Sequence, residues 1–272
     1  MDPLVTPDWL AKHAGAPDLR IADATLLAAE LHRDARAEFE AGHIPGAVFL
    51  DLADLRDTAS PLPNMLPPPE KVASRLARLG LGDGTRIVLY DDSPWHTAAR
   101  AWWVLTSYGF TAAILDGGIA AWRAGGRPLE GGSATTRERH ATPRFDPSPW
   151  RDMASLRESV QPIVDARSAS RFTGDEADPH GAAPGHIPGS INLPYSRLFE
   201  ADGTWKRGER LAAAFRDAGI YPALPFVATC GSGVTAAVLA FGAHLLGTRA
   251  AVYDGSWSEW GADPSTPKAI GA

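Results

Sequence analysis

The chain repeats itself, and no other feature restricts its fold as much. I-A-D-A-T at 21–25 returns as I-V-D-A-R at 163–167, and E-A-G-H-I-P-G-A at 40–47 returns as A-P-G-H-I-P-G-S at 183–190. The apolar run R-I-V-L-Y-D at 86–91 answers P-F-V-A-T-C at 225–230. D-G-G-I-A-A-W at 116–122 answers D-G-S-W-S-E-W at 254–260, with the same spacing from Asp to Trp. Order is kept and register drifts little: His43 to Asp91 is 48 positions, and His186 to Cys230 is 44. One fold built twice explains this. Between the copies, 129–150 has no apolar periodicity and is rich in Gly, Ser, Thr, Pro and charge, which reads as a linker. The expected division is a first domain over 1–128, a linker over 129–150 and a second domain over 151–272.

Within each copy short β-branched runs alternate with amphipathic stretches. P-E-K-V-A-S-R-L-A-R-L-G (69–80) carries Val72, Leu76 and Leu79 on one helical face and stops at Gly80. I-V-L-Y follows as a strand, a helix runs to Gly109, and A-A-I-L is the next strand. Alternation of this kind predicts an α/β fold, twice over, each copy a largely parallel sheet flanked by helices.

Net charge is -6 and 21% of residues are charged, with both signs interspersed. No Lys/Arg block marks a nucleic-acid or membrane-surface footprint. No window approaches an uncharged apolar span, and the N-terminus lacks a basic region followed by an apolar one. A single cysteine in 272 residues forms no internal disulfide, so nothing requires an oxidising compartment. A soluble cytoplasmic protein is expected.

That cysteine, Cys230, stands in F-V-A-T-C-G-S-G-V-T-A-A-V (226–238), between an apolar strand and a helix stopped at Gly247. In open α/β sheets the crevice at the strands' carboxyl ends is where ligands bind. Gly231 and Gly233 let the backbone curl so that N–H groups converge, and the helix start adds partial positive charge. Such a focus favours an anion, and for a thiol placed there it favours the thiolate. The alternative is a small buried hydrophobe, the usual fate of a lone cysteine. A dinucleotide fingerprint would need a third glycine, and a cysteine phosphatase loop would need Arg where Ala236 stands. His and Cys show no ligand spacing for a metal, H-G-A-A-P-G-H (180–186) being the weak exception.

G-H-I-P-G in both halves, D-A-R-S-A-S-R-F-T-G at 165–174 and C-G-S-G-V-T-A at 230–236 resemble the tandem-domain rhodanese/3-mercaptopyruvate sulfurtransferase family. The cysteine is present in the second copy only, and Asp91 takes its place in the first. The resemblance implies two rhodanese-like domains, the second catalytic. Cys230 would take a sulfane sulfur from a small anionic donor, hold it as a persulfide and pass it to cyanide, a small thiol or reduced thioredoxin. No metal or organic cofactor is implied. The donor would be bound by Arg171 and by Gly231, Ser232, Gly233, Val234 and Thr235 of the loop. With no basic residue in that loop, the family pattern favours 3-mercaptopyruvate, thiosulfate being the alternative.

Three positions depart from the pattern. Asn64 stands where the family has His, Ala53 where it often has Asp, and His180 where it has a second carboxylate-binding Arg. A relay to the loop serine is thereby dismantled, since Asn hydrogen-bonds without titrating. These departures motivate a reading of different class, a non-catalytic redox-sensing or binding protein on the same fold. His43 and His186, occurring in both copies, read as structural ties of a turn. Trp122, Trp260 and Asp165 read likewise as structural, and Arg167 remains a weak candidate for the site.

Overall fold

The computed structural model describes all residues but 135, 180, 222 and 272. The chain divides into two compact units, each with its own sheet. The first comprises Met1–Asp57 and Leu66–Asp146, the second Thr58–Met65 and Pro147–Ala272. Eight residues from the first half of the sequence thus belong to the second unit, an excursion that no local pattern announces.

Among the described residues the first unit contains strands β1 (Leu4–Val5), β2 (Leu19–Asp23), β3 (Ala47–Phe49), β4 (Arg86–Tyr90) and β5 (Thr111–Leu115). Helices α1 (Pro7–His13), α2 (Ala35–Ala41), α3 (Pro69–Arg78), α4 (Ala98–Ser107) and α5 (Gly118–Ala124) alternate with them. The second unit has β6 (Trp150–Arg151), β7 (Ile163–Asp165), β8 (Ile191–Asn192), β9 (Phe226–Thr229) and β10 (Ala250–Tyr253). Its helices are α6 (Met153–Arg157), α7 (Ala169–Thr173), α8 (Gly208–Arg216), α9 (Ala236–Leu245) and α10 (Ser256–Trp260).

Strand order is β1-β5-β4-β2-β3 in one sheet and β6-β10-β9-β7-β8 in the other, which is the same order strand for strand. Every strand pairing is parallel. Parallel neighbours need crossover connections, and the helices supply them. The α/β architecture expected from the repeat is the one present.

Local chemistry explains the elements. In α3, Pro69 occupies the first turn, Val72 and Leu76 are fully buried, and Arg75 and Arg78 sit in the last turn. Gly80 follows in the left-handed region at φ +68°, where other residues are strained. By contrast α4 and α9 are buried almost all round, because each leaves the middle of its sheet. Trp122 in one unit and Trp260 in the other are buried, and donate from Nε1 to Pro128 O and Pro267 O at 2.8 Å each.

The connecting stretch after residue 129 is fastened to the first unit. Arg139 N donates to Ala77 O, Thr142 N to an Asp83 carboxylate oxygen and Arg144 N to Tyr108 O. Ala141 is buried within it. Gly82 lies against the Arg139 and His140 carbonyls, so close that a side chain at 82 would displace this strap. Its backbone is satisfied by irregular pairing that leaves no periodicity to read in the sequence.

Candidate active site

β9 delivers Cys230 to the carboxyl edge of the second sheet, and the loop from Cys230 to Thr235 leads directly into α9. Cys230 is 2% exposed. Gly233 sits at φ +79°, which only glycine adopts without strain. Gly231 is placed differently, against a side chain. A Cβ there would lie 3.1 Å from Nη2 and 3.5 Å from Nη1 of Arg171. Arg171, four positions after Arg167 in the chain, is thus packed against the loop that begins with the thiol. Val234 and Thr235 are buried, and Thr235 is the residue before α9, its side chain making no capping bond.

The first unit supplies an internal control. There the residue at the end of β4 is Asp91, and its carboxylate accepts from Ser93 N at 3.1 Å and from Ala98 N, at the start of α4, at 2.5 Å. Asp92 N donates to Thr25 Oγ1, Trp95 N to Ser93 Oγ and His96 N to Ser93 O. That loop fills itself with its own carboxylate. In the second unit the backbone N–H groups of Gly231, Ser232, Val234 and Thr235 donate to no acceptor among the described residues. Unmet donors at a helix start form a place for an anion that the chain itself does not provide.

Arg171 donates from Nη2 to Asp178 Oδ2 at 2.6 Å, while its Nε is buried with no partner. Asp178 thus holds the guanidinium from one side while its Nη1/Nη2 end lies against Gly231. Ser232 is half-buried, and its Oγ and carbonyl oxygen accept from Asn64 Nδ2 at 3.1 and 3.3 Å. Asn64 holds a left-handed backbone, φ +56°. A neutral amide thus occupies the place where the family pattern has a titrating His. Ala53 offers no polar side chain, and its neighbour Asp54 is bound to Arg75 and Lys71. His180 lies outside the described residues.

Sequence reasoning missed Ser256. Its hydroxyl oxygen accepts from Cys230 N at 3.2 Å, lies 2.8 Å from Tyr253 O, and stands 3.9 Å from Cys230 Sγ. Ser256 is fully buried and left-handed at φ +50°. Around it, Trp257 N donates to Cys230 O, and Ser258 donates to Gly231 O from both N and Oγ. The repeat held the signal, for Ser256 aligns with Gly118, where glycine satisfies the same left-handed turn at φ +57°. The second unit thus carries a hydroxyl at a left-handed position where the first has glycine, and that hydroxyl reaches the Cys230 N–H and sulfur.

Other candidates resolve into scaffold. His43 Nδ1 donates to Phe39 O at 2.7 Å, and His186 Nδ1 to Phe172 O at 2.9 Å, each ring stacked on the phenyl it addresses. Arg167 is buried, forked onto Asp165, bonded to Gly185 O and laid over the Trp257 ring. No group of three or more His, Cys, Asp or Glu among the described residues is arranged to hold a metal ion.

A model of the rhodanese-like domain matches residues 6–125 and again 151–263. The chain is similar to 3-mercaptopyruvate sulfurtransferase of Homo sapiens, 38% identical over 270 residues covering 94% of this chain and 91% of the relative. It is similar to thiosulfate sulfurtransferase of Gallus gallus, 37% identical over 269 residues covering 94% and 92%. Among solved structures it superposes on SseA of Escherichia coli, described with the rhodanese fold and the mechanism of 3-mercaptopyruvate sulfotransferases. The TM-score is 0.86 at 36% identity, covering 95% of this chain and 100% of that one. With a domain match in each half and relatives aligned from end to end, the chain belongs to the rhodanese family of sulfurtransferases.

Proposed function

We propose that this sulfurtransferase takes the thiol sulfur of 3-mercaptopyruvate onto Cys230, where it becomes the outer sulfur of a persulfide, and passes it to a thiophilic acceptor. One observation carries the reading: the thiol opens a loop with unmet N–H donors, and the Arg171 guanidinium lies against that loop at Gly231. The donor carboxylate binds the Arg171 guanidinium, whose Nη1 and Nη2 lie against Gly231, since a guanidinium fork matches a carboxylate. The Cys230 thiolate attacks the donor sulfur, so an S–S bond forms as the C–S bond breaks. The electron pair stays on the carbon as the enolate of pyruvate, which takes up the proton carried by the transferred sulfur. A persulfide anion remains on Cys230, and the unmet N–H donors of its loop support a negative charge there.

Ser232, accepting from Asn64 Nδ2, keeps its own proton to donate toward the donor or the leaving enolate. In the second half-reaction an acceptor attacks the outer sulfur and the thiolate of Cys230 leaves. Cyanide, a small thiol or a reduced dithiol protein such as thioredoxin has the chemistry for this. A chain with one cysteine needs no oxidising compartment, and no helix among the described residues is long and apolar enough to cross a membrane. Both facts support a cytoplasmic setting.

Thiosulfate is the second reading, favoured by the similarity to the Gallus gallus enzyme of that name. Against it stands the loop, where Gly231-Ser232-Gly233 offers a dianion no side-chain cation. The test is sulfur transfer to cyanide from each donor, beside Cys230→Ser and intact-mass detection of one added sulfur. Mercaptopyruvate turnover that vanishes in Cys230→Ser, with the added sulfur present only in the parent protein, is expected. Sulfur transfer surviving in Cys230→Ser would overturn the assignment. An oxidisable Cys230 without turnover on either donor would make the protein a redox sensor instead.

A further inference from the structure

Building on the sulfur-transfer reading, we propose that Asp178 selects the donor's charge. It is a positioning residue that makes the Arg171 site prefer a singly charged carboxylate to a doubly charged oxyanion. Asp178 belongs to the acidic run D-E-A-D at 175–178, whose members have separate tasks. Asp175 accepts from Thr173 Oγ1 at 2.7 Å and Glu176 from Ser170 Oγ at 2.6 Å; both are exposed and serve only their own turn. The Asp178 side chain is 3% exposed and faces the guanidinium that lies against Gly231.

Burying a carboxylate costs solvation that a surface turn has no need to forgo, and here its Arg partner is one that a substrate anion must also reach. Two consequences follow from the contact. The bond to Nη2 fixes the plane of the guanidinium and holds its Nη1/Nη2 end against the loop at Gly231. Besides this, the Arg171–Asp178 pair is neutral as a whole. A monocarboxylate approaching it leaves one net negative charge in a partly buried site, whereas thiosulfate leaves two. Coulomb energy grows with the charge product, so the second charge is penalised by the carboxylate close behind the guanidinium. The neutral loop Gly231-Ser232-Gly233 supplies no side-chain charge that would offset it.

The test uses the whole chain and reads binding separately from turnover. Calorimetry of pyruvate, a monoanion, and of sulfate, a dianion, is run on the parent protein, Asp178→Asn and Asp178→Glu. The ratio of kcat/KM for thiosulfate to that for 3-mercaptopyruvate is measured on the same three. Asp178→Asn is expected to raise the sulfate-to-pyruvate affinity ratio and the thiosulfate-to-mercaptopyruvate ratio by about tenfold. Asp178→Glu, which keeps the charge, is expected to hold both near the parent values. Unchanged ratios in Asp178→Asn, or the same shift in both variants, would overturn the proposal.

Should Asp178→Asn fail to fold, the parent protein alone decides, since sulfate binding more tightly than pyruvate contradicts the assignment and the reverse supports it. Failure of the sulfur-transfer reading is distinguishable, because it shows as transfer independent of Cys230, while the affinity ratios need no turnover at all.

Discussion

Ser256 concentrates what this site asks of a single residue. Its backbone is left-handed at φ +50°, a conformation that costs a non-glycine residue about 1–3 kcal/mol. In return its hydroxyl takes the Cys230 N–H and stands beside the sulfur, while its one proton has two possible acceptors, Tyr253 O and Cys230 Sγ. As negative charge collects on the sulfur, that proton has reason to move toward it. Ser256→Gly relieves the strain and removes the hydroxyl. It is expected to leave the melting temperature within a few degrees of the parent while lowering kcat about tenfold. Ser256→Ala keeps the strain and orphans the buried Cys230 N–H, so urea unfolding is expected to show a loss of about 1–3 kcal/mol as well. Equal kcat in parent and glycine variant would mean that the hydroxyl serves only the backbone.

At the scale of elements, the strand–loop–helix unit occurs twice with different contents, and the difference shows what was readable beforehand. Apolar periodicity and glycine stops locate α3, β4, α4, β5, β9 and α9, because each buries a regular stripe or run. Sequence places Cys230 in its turn and family pattern singles out Arg171; in the fold the Arg171 guanidinium lies against the loop that Cys230 opens. Asp178 was passed over as part of a polar run, since nothing in D-E-A-D tells which carboxylate is buried. The strap after residue 129 escaped because irregular backbone pairing has no period, and the 58–65 excursion forms no helix or strand whose pattern could announce it.

The Ser256–Gly118 exchange was open to view in the repeat, yet its meaning depends on seeing which backbone lies opposite. At Gly118 an added Cβ would meet Asp91 O at 2.5 Å, on a backbone at φ +57°. Gly118→Ser, which copies the second unit into the first, is therefore expected to destabilise the first unit by about 2 kcal/mol or more, measured by urea unfolding. A neutral result would show that the two loops are interchangeable after all.

For the molecule as a whole, the aspartate that follows β4, where the other unit has its thiol, carries an electrostatic consequence. Burial pushes the Asp91 carboxyl up to about 7, against the opposing pull of the Ala98 and Ser93 N–H groups, with the charges of Asp23 and Asp92 adding to the rise. Asp23, accepting from Thr25 and buried at the end of β2, is raised in the same direction by its own desolvation. Between the ordinary carboxyl range and about pH 7 the native first unit then holds a proton that the unfolded chain has released. Stability must fall as pH rises through that window and level off above it. Urea unfolding at pH 5 and pH 8 is expected to differ by about 2–3 kcal/mol from Asp91 alone. Asp91→Asn is expected to remove that part of the difference. A pH dependence identical in the variant would assign the effect to Asp23 or elsewhere.

The solitary thiol has one more consequence, for the protein's lifetime. Peroxide turns a thiolate into a sulfenic acid, which is ordinarily rescued when a nearby cysteine condenses with it. This chain has no other cysteine, so rescue has to arrive from a foreign thiol reaching a sulfur that is 2% exposed. A bare Cys230 that oxidises further, to the sulfinic acid, is lost. On the proposed mechanism a Cys230 carrying a persulfide would present the outer sulfur first, and that atom would leave with each turnover. Donor supply would then double as protection, and the molecules that age fastest would be those left idle.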